Sequence, residues 1–214
     1  MLSRVFKAGV LSMALAAGAV GPAQAREDAA PPAAEGVAQA VTAAQLADWG
    51  RRNGDPGALI MAARLLAEVP LRSAEGETPV VSPGSLLDEA AALSNGDPDI
   101  LDVIQLLREQ GVRGVHNSPF GQGPIFTVKE VRARETFGFD IEARGGEVLR
   151  VAAIGDGDTN IDMSLTGPDG ALLCRDGYGD HYPVCTVAPR AQSTIRVEIM
   201  NRGDVWTRVQ ILSN

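Results

Sequence analysis

Two histidines and two cysteines are all that this 214-residue, 22.4 kDa chain carries of those side chains. That scarcity leaves little material for acid–base or thiol chemistry near neutral pH. Aromatic residues are few as well, at 4%, whereas pockets for sugars are normally rich in them. Lysine and arginine form no run, and the formal charge is −8. A phosphate-binding surface needs clustered cations, so nucleic acid is excluded as the main partner. There is no Gly-x-Ser-x-Gly elbow, no His-Glu-x-x-His helix and no phosphate loop. After residue 25 no apolar run reaches the roughly 18 residues that mark a membrane-spanning helix.

The first 25 residues read as a secretory signal. Arg4 and Lys7 supply a positive start, residues 10–20 an apolar stretch, and Ala23-Gln24-Ala25 a small-x-small cleavage site. The apolar stretch is too short to cross a hydrocarbon core of roughly 30 Å. The expected location is therefore the periplasm or the cell exterior, with no membrane insertion once the signal is cut. In such an oxidising compartment Cys174 and Cys185 read as a disulfide. The rival reading, a zinc site of Cys174, His181 and Cys185, has three ligands at most and a spacing unlike common zinc patterns.

Residues 26–36, rich in Ala, Pro and acids, read as a flexible leader. Residues 37–111 have helical periodicity, with Val41, Leu46 and Trp49, then Leu59, Ala62, Ala63 and Leu66, then Ile100, Val103, Ile104 and Leu107. Asn53-Gly54-Asp55-Pro56 and Asn95-Gly96-Asp97-Pro98 are identical and 42 residues apart. In such a tetrapeptide Gly closes one helix, Asp caps the next, and Pro fits its first turn. The spacing predicts two helical hairpins, about four helices, joined by residues 70–84. The hairpins resemble tetratricopeptide-type repeats, although those run nearer ~34 residues and carry a signature not fully present here. The plain alternative is a good helix–helix turn used twice.

Residues 112–124, with three glycines and two prolines, read as a linker. Beyond them the period becomes two. Leu149, Val151 and Ala153 alternate with Arg150 and Ala152, Ile161, Met163 and Leu165 with Asp162 and Ser164, and Ile195, Val197 and Ile199 with Arg196 and Glu198. Short strands between Gly, Asp and Pro turns, Gly167-Pro168-Asp169-Gly170 among them, predict an antiparallel β-sandwich over 125–214. The fold class expected is α+β in two domains, helical hairpins followed by a jelly-roll-like β-sandwich.

The β half resembles the bacterial pre-peptidase C-terminal domain. The residues that carry the likeness are Thr136-Phe137-Gly138-Phe139, Gly145-Gly146-Glu147, the acidic stretch from Gly155 through Asp162, the hairpin at 165–171, Ile195-Arg196-Val197, and Val209 with Leu212. Gln192-Ser193-Thr194 departs from that family's Gly-Thr-Tyr before the penultimate strand. The resemblance implies an ancillary domain that aids secretion, stability or contact with polymers, is not itself a catalyst, and in some relatives holds calcium.

Asp156, Asp158 and Asn160 stand at alternate positions with Asp162 beyond them, and Asp176 and Asp180 lie between the cysteines. Calcium takes six to eight oxygen ligands, and such a loop supplies several, so calcium is the candidate cofactor at Asp156, Asp158, Asn160 and Asp162. No Glu stands at the twelfth position of an EF-hand, and the alternative is a solvated turn. His181 with Asp156, or the His116-Asn117-Ser118 stretch, offers a general base for a small hydrolase. Tyr178 and Tyr182 offer a contact surface or ordinary packing. Acidity is concentrated in residues 26–112, with 14 acids against 6 bases, compared with 13 against 11 in residues 113–214. The function expected is an exported, non-catalytic binding or accessory protein that contacts a protein or an envelope polymer.

Overall fold

The computed structural model describes residues 31–112 and 118–214; the first 25 residues, expected to be a signal, and His116 and Asn117 lie outside them. Four helices come first, α1 (Pro32–Asn53), α2 (Pro56–Ala67), α3 (Pro83–Leu93) and α4 (Pro98–Val112). Each begins on a proline, whose missing N–H is no loss in a first turn. The repeated tetrapeptide does what its chemistry dictates. Gly54 ends α1 in the left-handed region (φ 62), and the Asp55 carboxylate accepts the Ala58 N–H at 3.1 Å. Asp97 likewise accepts the Asp99 and Ile100 N–H groups at 3.0 and 3.4 Å. At this second copy, however, both Asn95 (φ 52) and Gly96 (φ 84) are left-handed, and α3 has already stopped at Leu93.

The strands are β1 (Arg72–Ser73), β2 (Ile125–Val131), β3 (Thr136–Ala143), β4 (Leu149–Gly155), β5 (Ile161–Thr166), β6 (Leu172–Asp176), β7 (Val184–Val187), β8 (Ser193–Asn201) and β9 (Thr207–Ser213). They form two sheets, one ordered β1-β2-β9-β4-β7 and the other β3-β8-β5-β6. All pairings are antiparallel except β1 with β2. Between the sheets lie Val151, Ala153, Val209 and Ile211 from the first and Ile161, Met163, Leu165, Ile195, Val197 and Ile199 from the second.

The first sheet has a second dry face. Phe126, Ala152, Ile154 and Leu212 pack into one core with Val37, Ala40, Ala44, Leu59, Leu86 and Ile104 of the helices. The molecule is thus three layers, helices on sheet on sheet. Each fully buried aliphatic chain contributes roughly 1.5–3 kcal/mol, so the shared core binds helices to sandwich strongly. Alanines bring α1 close: Ala34, Ala40, Ala43, Ala44 and Ala47 are all buried. Gln210 also points into this layer, where its carbonyl oxygen accepts the Val80 and Val81 N–H groups at 2.9 and 3.3 Å.

Several expectations change in detail. Helix α1 takes in residues 32–36, which composition assigns to the leader; there Gly36 lies close against Phe120 and Pro124, and a Cβ would stand 3.0 Å from Pro124. The connection 70–84 contains β1, which lays Arg72 and Ser73 beside Ile125 and Phe126. Alternation fails in β4, where Ala152 is as buried as Val151. Trp49, at a helical core spacing, is 46% exposed, and of the α4 stripe Ile104 is buried while Val103 is 45% exposed.

Candidate functional site

Four turns meet at one end of the sandwich, and hydrogen bonds lace three of them together. Asp180 O accepts the Ile161 N–H at 2.9 Å, and Asn160 O accepts the Arg202 N–H at 2.9 Å. The loop after β6, the loop after β4 and the turn after β8 therefore lie side by side. The turn from β2 to β3 joins them through Arg134, whose guanidinium donates to Asp204 at 2.8 and 3.0 Å.

The cysteines are bonded. Cys174 on β6 and Cys185 on β7 form a disulfide with Cα atoms 5.8 Å apart, and no free cysteine is present among the described residues. The bond ties an edge of one sheet to an edge of the other and clamps the loop between them. Asp176 accepts the Val184 N–H at 2.8 Å and Asp180 the Tyr182 N–H at 2.9 Å, which stiffens the loop from within. Tyr182 enters the core under the helices, and burial pushes its phenol up to about 12. Its ring lies 3.9 Å from that of His181, tilted by 39°. Tyr178, at the tip, is 94% exposed. Across the same end Trp206, in the turn after β8, is 52% exposed. The two tyrosines that the sequence placed together thus divide, one into packing and one into solvent.

The four residues considered for calcium are held in different ways. Asp156 accepts the Thr207 hydroxyl at 2.6 Å and the Arg208 N–H at 2.9 Å, so both its oxygens serve the start of β9. Asp162 faces away on β5, where Arg202 donates to it at 2.6 and 2.7 Å and Arg175 stands 3.9 Å off. Asp158 is exposed on the loop. Thr159 Oγ1 and Asn160 Oδ1 are buried with no partner among the described residues. No group of three or more acidic, His or Cys side chains is placed to hold a metal among the described residues. At Asp156 and Asp162 the Thr207 hydroxyl, the Arg208 N–H and the Arg202 guanidinium compete with any cation for the carboxylate oxygens.

His181 sits half-buried between the Gly155–Gly157 turn and the C-terminal end of α1. Its carbonyl accepts the Gly155 N–H at 2.9 Å. Burial lowers its pKa below the ordinary 6.5, Arg52 and Arg51 reinforce the shift, and Asp180 and Asp156 oppose it. Asp156, already committed to Thr207 and Arg208, does not orient the ring as a triad carboxylate would. Sequence reasoning missed the arginines, because Arg202 and Arg175 stand far along the chain from Asp162 and carry no local motif.

No protein-family model matches the chain, and no curated protein sequence does. Solved structures align with less than half of it. A mitogen from Yersinia pseudotuberculosis aligns at 8% identity and a TM-score of 0.33, over 43% of this chain and 85% of that one. The pre-peptidase C-terminal domain of a Bacillus anthracis collagenase aligns at 6% and 0.33, over 41% and 88%. A periplasmic inhibitor of g-type lysozyme from Aeromonas hydrophila aligns at 14% and 0.31, over 42% and 86%. These alignments cover less than half the chain and assign neither a family nor an activity.

Proposed function

We propose that this chain is an exported, non-catalytic binding protein of the periplasm or cell exterior, which holds a protein or an envelope polymer at the loop end of its sandwich. One observation carries the reading: Tyr178 stands in solvent at the tip of a loop that is clamped at its base by Cys174–Cys185 and anchored by buried Tyr182. Covering an exposed aromatic removes apolar surface from water, and a rigid base reduces the ordering entropy lost when it is covered. Trp206 and the Arg134–Asp204 pair extend the same surface with an aromatic and a polar rim. The disulfide and the signal-like first 25 residues support export.

The test is co-sedimentation with isolated cell-wall polymer and capture from the envelope fraction, comparing the chain with Tyr178→Ala/Trp206→Ala. Loss of two aromatic anchors is expected to weaken retention by about tenfold or more. Equal retention of both proteins would remove the loop end from consideration.

A further inference from the structure

Of the four sheet edges, three are covered or short. In the five-stranded sheet, β1 covers the start of β2, and beyond it the Glu77 carboxylate accepts the Thr127 hydroxyl at 2.8 Å and the Val128 N–H at 3.2 Å. Edges β6 and β7 are short and joined by the disulfide. Strand β3 is the exception. It runs for eight residues with no proline and an unbroken register to β8.

The phase of its main chain follows from one bond. Asn201 N–H donates to Glu135 O at 3.0 Å, so residues 137, 139, 141 and 143 exchange hydrogen bonds with β8. In an antiparallel pair the intervening residues turn their groups the other way. Thr136, Gly138, Asp140 and Glu142 therefore direct their N–H and C=O groups outward. No backbone or side-chain group among the described residues bonds to any of them. The same strand leaves Phe137, Phe139 and Ile141 half-buried at the open seam, on the edge of the inter-sheet core. The two phenyl rings stack 5.8 Å apart. Long, flat edges with apolar flanks are what folded proteins normally blunt.

We infer that this edge is a self-association surface, on which β3 of a second copy of the chain pairs antiparallel about a two-fold axis through Phe139. The occupant is argued from self-complementarity. That register alone engages all four outward residues of both copies. It sets Phe139 against Phe139 and Phe137 against Ile141 on the core side, closing the seam with apolar pairs. On the solvent side it sets Asp140 of one copy opposite Gly138 of the other. Gly138 is the place over which the Arg196 guanidinium lies: a Cβ there would stand 2.9 Å from its Cζ. Arg196 already holds its own Asp140 at 3.2 Å; with Glu198 opposite Gly138 on the same face, it is the cation that offsets the incoming Asp140. A shift of the axis to Asp140 would instead oppose the two Asp140 carboxylates. The two four-stranded sheets become one of eight strands across an isologous interface.

Sedimentation equilibrium of the full chain across the micromolar range tests the pairing, together with oxidative cross-linking of Phe139→Cys and, as control, Phe137→Cys. A monomer–dimer equilibrium is expected. Asp140→Lys, which turns both attractions to Arg196 into repulsions, raises the dissociation constant by about tenfold with an unchanged far-ultraviolet spectrum. Phe139→Cys cross-links to itself, whereas Phe137→Cys, opposite Ile141, does not. A chain that stays monomeric overturns the inference, and so does a dimer that ignores Asp140→Lys or fails to cross-link at 139. The cross-link decides the matter even where Asp140→Lys does not fold. A strand supplied by another protein would leave the chain alone monomeric, which is the overturning result.

Discussion

The two sheets differ in how many faces they hide, and that difference organises the molecule. In β8 of the four-stranded sheet, Ile195, Val197 and Ile199 are buried while Arg196 and Glu198 meet water. In β9 of the five-stranded sheet, Val209, Gln210, Ile211 and Leu212 are all buried. One sheet is a wall with a wet side; the other is a shared partition between two cores. The lesson is that the helical half is not an appendage. The helices and the outer side of the partition share one continuous core, so neither is expected to hold its shape alone.

The sharpest way to break this comparison is to remove bulk from the partition. Leu212→Ala is expected to cost about 2–5 kcal/mol, with helical and sheet signals lost in one calorimetric transition. Two separated transitions would show that the halves are independent. Removal of the bond that joins the sheets, by Cys174→Ser with Cys185→Ser, comes next, at about 2–3 kcal/mol on the loop-entropy account; chemical denaturation of the two proteins measures it. The smallest effect concerns His181, where loop and α1 meet. Its folded pKa lies below the ordinary 6.5, so the unfolded chain takes up a proton first as pH falls. Stability is then lost as pH drops through the ordinary value towards the folded one, and no further below it. Melting curves between about pH 7 and about pH 5 should slope less for His181→Gln than for the parent chain; equal slopes would assign the dependence to other groups.

How much of this was legible depended on how many faces an element shows to water. Strand β8 is readable because its alternation is a one-faced pattern, and the repeated Asn-Gly-Asp-Pro is readable because capping chemistry is local. Strand β9 reads poorly, since Gln210 looks like an outward residue until the Val80 and Val81 N–H groups are placed beside it. The start of α1 hides behind composition: Pro32, Ala33 and Ala34 look like a leader, yet small side chains are what let a helix lie close on a sheet. At the loop end, the positions of Asp156 and Asp162 were visible and their roles were not. Those roles belong to Thr207, Arg208 and Arg202, which only the folded topology brings near.

Strand β9 lies between β2 and β4 although it follows every other element in order. A ribosome that has delivered everything through β8 has therefore made two strands that flank a gap, each with a full row of unpaired amides. Until the missing strand arrives, the nascent chain carries a slot for a strand in the middle of its largest sheet, and a chaperone that shields such slots has a defined place to act.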